Sequence, residues 1–268
     1  MRGKRLEKIK LAFIFLFFLQ GTPCFAQDVL LREWVGQWIN RGFLKAIFES
    51  RSPQQALKFY SYPEVEIREN GIIFQLLISE KFQNRCVFRI ESLEEIQTGK
   101  NWRLNIEPPV GGFAPGILIE KRGESTYLKL LIESNGENAS NKPSSQMSLE
   151  YQKVIPSTAY VINAAGLEGE YRDADGRRFF FRRDFTADWP GKHFRYRIEL
   201  EVAASGFDCL DEVDGDGKLL KRFAFQWTQD ILQIREMSFD TKEGYKPGAL
   251  MHELQPIKYK ELNDSCYS

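Results

Sequence analysis

Hydrophobic and polar residues alternate with a period of two along much of this chain. The clearest run extends from Phe194 to Val202, where every second residue is apolar and the residues between are arginine or glutamate. Such alternation is typical of a β-strand with one buried face and one solvated face. Further short runs are separated by glycine, proline and polar clusters, which favours consecutive strands joined by local turns. The pattern predicts a mainly β protein, whose antiparallel meander closes into one or two barrels or packs as a sandwich.

One pair of runs carries a turn signal of its own. Val65 and Ile67 alternate with charged residues, Asn70-Gly71 follows, and the next apolar run extends from Ile72 to Ile78. Asn-Gly between two strand-like runs is typical of a type I′ turn, because both central residues of that turn need a positive φ. The sequence predicts a β-hairpin here.

A helical period replaces the alternation between Asp28 and Tyr60. Ser52-Pro53 resembles a helix start, with serine as the cap and proline in the first helical position. Two sets of apolar residues recur at three- and four-residue spacing, which places each set on one helical face. They are Leu31, Trp34, Val35 and Trp38, then Phe43, Leu44, Ile47 and Phe48. We expect a short helical segment near the mature amino terminus.

Residues 1–26 have the composition of a secretory signal peptide. An apolar run from Leu11 to Leu19 follows a basic segment and is too short to cross a bilayer. We expect cleavage after Ala26 and export to the periplasm or the cell exterior, with no transmembrane segment left. Cys24 makes a lipid anchor the alternative. The residues before it match a bacterial lipoprotein signal poorly, so we favour ordinary cleavage.

Charge and motif content narrow the functional classes. Lys plus Arg and Asp plus Glu both number 37, and loss of the leader leaves a mildly acidic protein. No excess of basic charge favours a nucleic-acid partner, and we expect none. His193 and His252 are the only histidines, and no nucleophile, zinc-protease, phosphate-loop or dinucleotide motif occurs. We therefore expect a protein that is not an enzyme and needs neither a metal nor a cofactor.

Three cysteines remain after the expected cleavage, an odd number for an oxidising compartment. Cys86 lies in a strand-like run, where we expect a buried thiol that acts as a small hydrophobic side chain. Cys209 and Cys266 are the candidate disulfide, which would tie the carboxyl tail to the second half of the chain.

The segment from Asp211 to Gly217 is rich in acidic residues and resembles a calcium loop. With Glu212 in the first position, the twelfth position, where a bidentate glutamate is needed, is Phe223. We therefore interpret the segment as an acidic hairpin tip built by Asp-Gly turn chemistry. Weak calcium binding by its carboxylates is the alternative.

The segment from Arg177 to Arg183 reads RRFFFRR and has two interpretations. Its arginines could meet an anionic head group or envelope polymer beside aromatic rings. We favour a structural role, in which solvated charges flank a buried strand and discourage its aggregation.

Two short motifs stand at the head of two series of strands. Gly36 and Trp38 form a Gly-x-Trp, and Gly169 and Tyr171 form a variant with tyrosine. Gly-x-Trp at the start of the first strand resembles lipocalins and related calycin barrels. The resemblance covers a few residues at each place, and it implies that the aromatic ring plugs one end of a barrel. The helical segment from Gly42 to Tyr60 departs from that pattern, in which the first strand continues directly.

The repeated motif predicts two calycin-like modules, at residues 27–155 and 156–268. Because a barrel of about eight strands can enclose one small ligand, the resemblance implies a binding protein that holds a small hydrophobic molecule. The alternative is an envelope or surface interaction module with filled barrels and no ligand. A third hypothesis, an envelope hydrolase, needs catalytic side chains that converge in one cleft. The sequence leaves the ligand-binding residues and the oligomeric state open.

Overall fold

The computed structural model describes residues 22–71, 73–82, 84–107, 115–133, 146–200, 207–241 and 244–258. The chain forms two closed barrels of eight antiparallel strands each. Within each barrel every strand pairs with its neighbour in the chain, and the last strand pairs with the first. The mainly β antiparallel meander that the alternation predicts is therefore confirmed.

The first barrel contains strands β1 to β8, which are, in chain order, Gly36–Asn40, Glu64–Asn70, Ile73–Glu80, Asn84–Gln97, Asn101–Ile106, Gly116–Arg122, Ser125–Glu133 and Gln146–Val154. The second barrel contains strands β9 to β16, which are Gly169–Arg172, Arg178–Phe181, Thr186–Trp189, Lys192–Glu199, Asp208–Val213, Leu219–Thr228, Ile231–Asp240 and Gly244–Lys258. The described helices α1 to α4 are Thr22–Trp34, Arg41–Ser50, Pro53–Leu57 and Thr158–Gly166.

The β2–β3 hairpin confirms the predicted hairpin and shifts its turn by one residue. Asn70 pairs with Ile73, so it ends β2 and does not stand inside the turn. Gly71 takes the left-handed conformation with a φ of 65°, which a residue without Cβ adopts at little cost. Position 72 lies outside the described residues, so the type I′ geometry stays a prediction.

Aliphatic side chains make up most of the first barrel's interior. Val65 lies opposite Ile78, and Ile67 lies opposite Leu76, so the apolar residues of the hairpin share the inner face. Burying each such side chain contributes about 1.5–3 kcal/mol. The same inward alternation continues around the barrel to Leu128 and Leu130 on β7, both fully buried.

Helix α1 packs on the first barrel. Its Leu31 and Trp34 are buried, and the Trp34 and Trp102 rings lie 5.2 Å apart between centroids. Trp38 belongs to β1, so its predicted place on the face of this helix is wrong. The chain leaves the helix after Trp34 because Gly36 has a φ of 134°, which a helical residue does not adopt. None of the helices in the described part of the chain is long and apolar enough to span a bilayer.

Helices α2, α3 and α4 form a layer between the two barrels. Helices α2 and α3 are inserted between β1 and β2, and the predicted cap of α3 is confirmed, since Ser52 accepts a hydrogen bond from the Gln55 amide at 3.1 Å. Phe43, Ile47 and Leu57 from this insertion pack with Ile162 of α4. Leu200 from the second barrel and other half-buried residues extend this cluster, so the insertion ties the barrels together.

Candidate functional site

The two motif aromatics occupy equivalent places in the two barrels. The Trp38 indole N–H donates to the carbonyl oxygen of Trp34 at 3.1 Å, and the Tyr171 hydroxyl donates to that of Leu167 at 2.7 Å. Each acceptor lies four residues before its donor, and both rings are essentially fully buried. Near the start of the first strand of each barrel, an aromatic side chain thus holds the preceding segment of the chain by a hydrogen bond. This position makes both residues structural.

The glycines of the two motifs leave room for neighbouring atoms. A Cβ at Gly169 would lie 3.1 Å from the Tyr171 hydroxyl oxygen, closer than most Cβ contacts. At Gly36, a Cβ would meet the Lys153 side chain at 3.1 Å, and the positive φ already disfavours other residues. Both glycines therefore serve the close packing that the resemblance to calycin barrels implies.

The RRFFFRR segment contains strand β10 of the second barrel. Phe179 and Phe181 face its interior and are buried. Each of the four arginines has a carboxylate partner, which is Asp173 and Asp175 for Arg177, Glu170 for Arg178, Asp188 for Arg182 and Glu168 for Arg183. These contacts support the structural interpretation.

The acidic segment near Asp214 forms a closed turn. The Asp214 carboxylate accepts hydrogen bonds from the backbone N–H groups of Asp216 at 3.0 Å and Lys218 at 2.8 Å. Glu212 is paired with Lys192 instead of facing the turn. The geometry is that of a hairpin tip, and the described residues contain no cluster of three potential metal ligands.

The cysteines lie in different environments. Cys86 is exposed, so the expectation of a buried thiol is wrong. It shares a face with Phe88 on β4 but precedes the point where the strand enters the packed barrel. Cys209 is fully buried. Its candidate partner Cys266 lies outside the described residues, so the disulfide stays a prediction. The side chain of Cys24 also lies outside them, so ordinary cleavage of the leader in place of a lipid anchor stays a prediction as well.

The two histidines lie in different environments. His193 on β12 is exposed and contacts Asp188. His252 on β16 packs against Phe179 and Trp189, with ring centroids 4.8 and 5.2 Å apart. Burial lowers the pKa of His252 below its ordinary value. Neither arrangement brings a histidine to a nucleophile.

A cleft between the two barrels is the candidate functional site. It has a volume of about 210 Å³. The first barrel contributes Gln37, Glu64 and Arg85, and the start of α4 contributes Ser157 and Thr158. The second barrel contributes Ile198, Glu199 and Leu200. Phe82, between β3 and β4 of the first barrel, also lines the cleft. Apolar and charged groups from both barrels therefore meet in one place.

Glu64 is the most unusual residue of the cleft. It begins β2 on the outer face of the first barrel, yet only 4% of its surface is exposed because α4 and the second barrel cover it. Burial raises its pKa above the ordinary value, while the nearby Thr158 hydroxyl and the positive charge of Arg85 oppose that shift. Among the described residues, no cation lies within 4.0 Å of its carboxylate.

The other polar side chains of the cleft differ in their hydrogen bonds and ion pairs. The Gln37 side-chain oxygen accepts a hydrogen bond from the Thr158 amide at 2.8 Å, which holds the start of α4 against β1. Glu199 lies 3.5 Å from Arg197 and 3.6 Å from Arg222, so its charge is compensated within the second barrel. Arg85 is exposed and forms no ion pair with another described residue. Among the charged residues that line the cleft, Glu64 and Arg85 are thus the two that form no ion pair with another described residue.

Asp208 links the two barrels next to this cleft. It lies at the start of β13 and accepts a hydrogen bond from the Gln54 amide of α3 at 2.8 Å. The Gln54 side chain reaches the Leu200 carbonyl oxygen at 3.5 Å. Burial raises the pKa of Asp208 to about 6, against the hydrogen bonds from Ser52 and Gln54 and the charge of Lys58.

We expect Asp208→Asn to flatten the pH dependence of stability. The folded state binds a proton on Asp208 more tightly than the unfolded state, so protonation stabilises the fold at about pH 4, and that stabilisation is lost as pH rises through about 6. Asparagine keeps an oxygen acceptor for Gln54 and cannot ionise. Urea unfolding at a series of pH values should show the wild type losing on the order of 2 kcal/mol relative to the variant between the two ends of this range. Parallel curves would contradict a raised pKa.

No sequence pattern singles out Glu64, Arg85 or Glu199 as candidate site residues. In the pattern of β2, Glu64 alternates with buried residues and reads as a solvated position. Its burial depends on a second barrel that follows about a hundred residues later in the chain. The absence of a lysine or arginine partner beside it could be recognised only from the assembled structure.

No protein-family model matches the chain, and no curated protein matches it. The closed antiparallel barrel of eight strands is consistent with a lipocalin-like fold.

Proposed function

We propose that this is an exported, non-enzymatic binding protein whose two barrels are filled scaffolds and whose binding surface lies outside them. The observation that carries this proposal is the continuous aromatic packing inside the second barrel. An interior occupied by its own side chains leaves the scaffold role as the best-supported one.

The second barrel is filled around Trp189. Its ring lies 5.0 Å from that of Phe194, 5.1 Å from that of Phe223 and 6.2 Å from that of Phe181, measured between centroids. Tyr196 continues the network at 5.7 Å from Phe181. Rings at these distances and tilts add about 0.5–1.5 kcal/mol for each pair beyond their burial. A ligand in this barrel would have to displace these contacts.

The first barrel is packed with aliphatic residues, and helix α1 covers part of it. The Trp34–Trp102 contact and the buried Leu31 join the helix to the barrel core. The Gln27 side chain also donates to the Leu93 carbonyl oxygen at 3.1 Å. These contacts favour an occupied interior here as well.

A small hydrophobic ligand inside a barrel is the second candidate. One observation favours it: the indole N–H groups of Trp102 and Trp189 are buried without an acceptor among the described residues. A buried donor without a partner costs about 1–3 kcal/mol, which the polar end of an amphipathic ligand could recover. This candidate makes the opposite prediction about lipid probes.

We expect the purified protein to bind no lipid-like molecule. Titration with a fluorescent fatty acid should give no saturable signal, and solvent extraction followed by mass spectrometry should release no lipid, because side chains fill the barrels. Trp189→Ala is the matched control, since it opens an apolar cavity that can accept a small apolar probe. Saturable binding by the wild-type protein would refute the filled-barrel proposal.

A further inference from the structure

We propose that the cleft between the barrels binds a small zwitterion of the amino-acid class, with its ammonium group on Glu64 and its anionic group on Arg85. This inference rests on the proposed function in one respect, that binding takes place outside the barrels. It adds the place of binding and the chemical class of the ligand.

The Glu64 carboxylate is buried beside the Thr158 hydroxyl, and no cation of the described residues pairs with it. A buried charge is stable when it is paired and hydrogen-bonded, and Glu64 has no cation within 4.0 Å among the described residues. The Thr158 hydroxyl beside it supplies at most one donor. An ammonium group brings three donors and a positive charge, which matches this deficit.

Arg85 selects the other end of the ligand. Its charge acts on Glu64 at a distance, yet the two groups are too far apart for an ion pair. A simple cation in the cleft would be repelled by this exposed guanidinium. A ligand that also carries a carboxylate turns that repulsion into attraction, because guanidinium and carboxylate groups match in charge and geometry.

The remaining walls and the volume limit the size of the ligand. Phe82, Ile198 and Leu200 give the cleft an apolar wall that suits a short aliphatic group. The volume of about 210 Å³ lies below the range of about 300–1,000 Å³ for drug-sized ligands. A ligand of the size of a single amino acid therefore suits the cleft better than a drug-sized one.

The test uses three compounds that share one aliphatic side chain and differ in which charged groups they carry. L-Leucine carries both groups, 3-methylbutylamine lacks the carboxylate, and 4-methylpentanoate lacks the ammonium. In isothermal titration calorimetry at low salt and mildly alkaline pH, we expect leucine to bind best and the amine to bind about tenfold more weakly. We expect the acid to bind more weakly than the amine, because its only charged contact would be with the solvent-exposed Arg85 and it leaves the Glu64 carboxylate without a cation.

Two variants assign the contacts. Glu64→Gln should weaken leucine and amine binding by about tenfold or more, whereas Arg85→Gln should weaken leucine binding alone. Glu66→Gln is the matched control, because Glu66 lies on the same outer face of β2 and pairs with Arg68, and neither of these two residues lines the cleft. Circular dichroism and thermal unfolding of each variant establish that it is folded.

The outcomes separate this inference from the proposed function. If none of the three compounds binds to the wild type, or if leucine binds equally well to Glu64→Gln, the cleft inference is overturned while the filled barrels stand. If a fatty-acid probe binds in a barrel, the proposed function fails, and leucine binding that depends on Glu64 would still support the cleft.

Discussion

Replacing Asp211 by alanine is expected to lower the free energy of unfolding by about 3–5 kcal/mol. The Asp211 side chain is completely buried on the outer face of the second barrel. It accepts two hydrogen bonds from the Arg222 guanidinium, at 2.5 and 2.8 Å, and two from Arg197, at 3.2 and 3.3 Å. Its removal leaves Arg222, whose side chain is only 9% exposed, without its main counter-charge. Urea unfolding followed by circular dichroism measures the loss.

Glu236→Ala provides the control for charge removal alone. Glu236 on β15 forms an ion pair with Lys221 at 2.7 Å, but both side chains are well exposed. Exposed pairs contribute about 0–1 kcal/mol, so this variant should unfold almost as the wild type does. Equal losses for the Asp211 and Glu236 variants would mean that burial of the network does not set its strength.

Replacing Trp38 by alanine is expected to lower the free energy of unfolding by about 3–5 kcal/mol. The ring is completely buried in the first barrel, and the deletion leaves a cavity while also removing the bond to Trp34. Trp38→Phe retains much of the ring and removes the donor, so it should cost about 1–3 kcal/mol. Chemical denaturation of the two variants separates packing from hydrogen bonding.

Tyr171→Phe is the corresponding change in the second barrel. It removes only the hydroxyl that bonds the Leu167 carbonyl oxygen, and a loss of about 1–3 kcal/mol is expected because that oxygen is buried. If Tyr171→Phe and Trp38→Phe unfold like the wild type, the bond back to the preceding chain has no structural role in either barrel.

The sequence by itself determined the local elements. Alternation along β12 placed Phe194 and Tyr196 inside the second barrel, and Ser52-Pro53 fixed the start of α3. These predictions succeed because side-chain direction repeats every two residues in a strand and because capping depends on neighbours in the chain. The interior or exterior placement of a strand residue is largely encoded within a few positions.

Tertiary structure alone decided which outward-facing residues became buried. Glu64 and Asp211 both occupy outer positions of their strands, and both are covered, Glu64 by α4 and the second barrel and Asp211 by flanking arginines. Helix α4 itself was missed, since its nine residues are too short for a clear helical period. Cys86 shows the opposite case, an inward-facing position left exposed at a strand end.

The physical reason is the range of the interactions involved. Periodicity and turn chemistry act over a few residues, so the sequence predicts strands, turns and which way their side chains point. The burial of Glu64 comes from elements about a hundred positions away, and the described residues of those elements place no cation within ion-pair distance of its carboxylate. The barrels follow from local pattern, whereas the cleft exists only because two barrels meet.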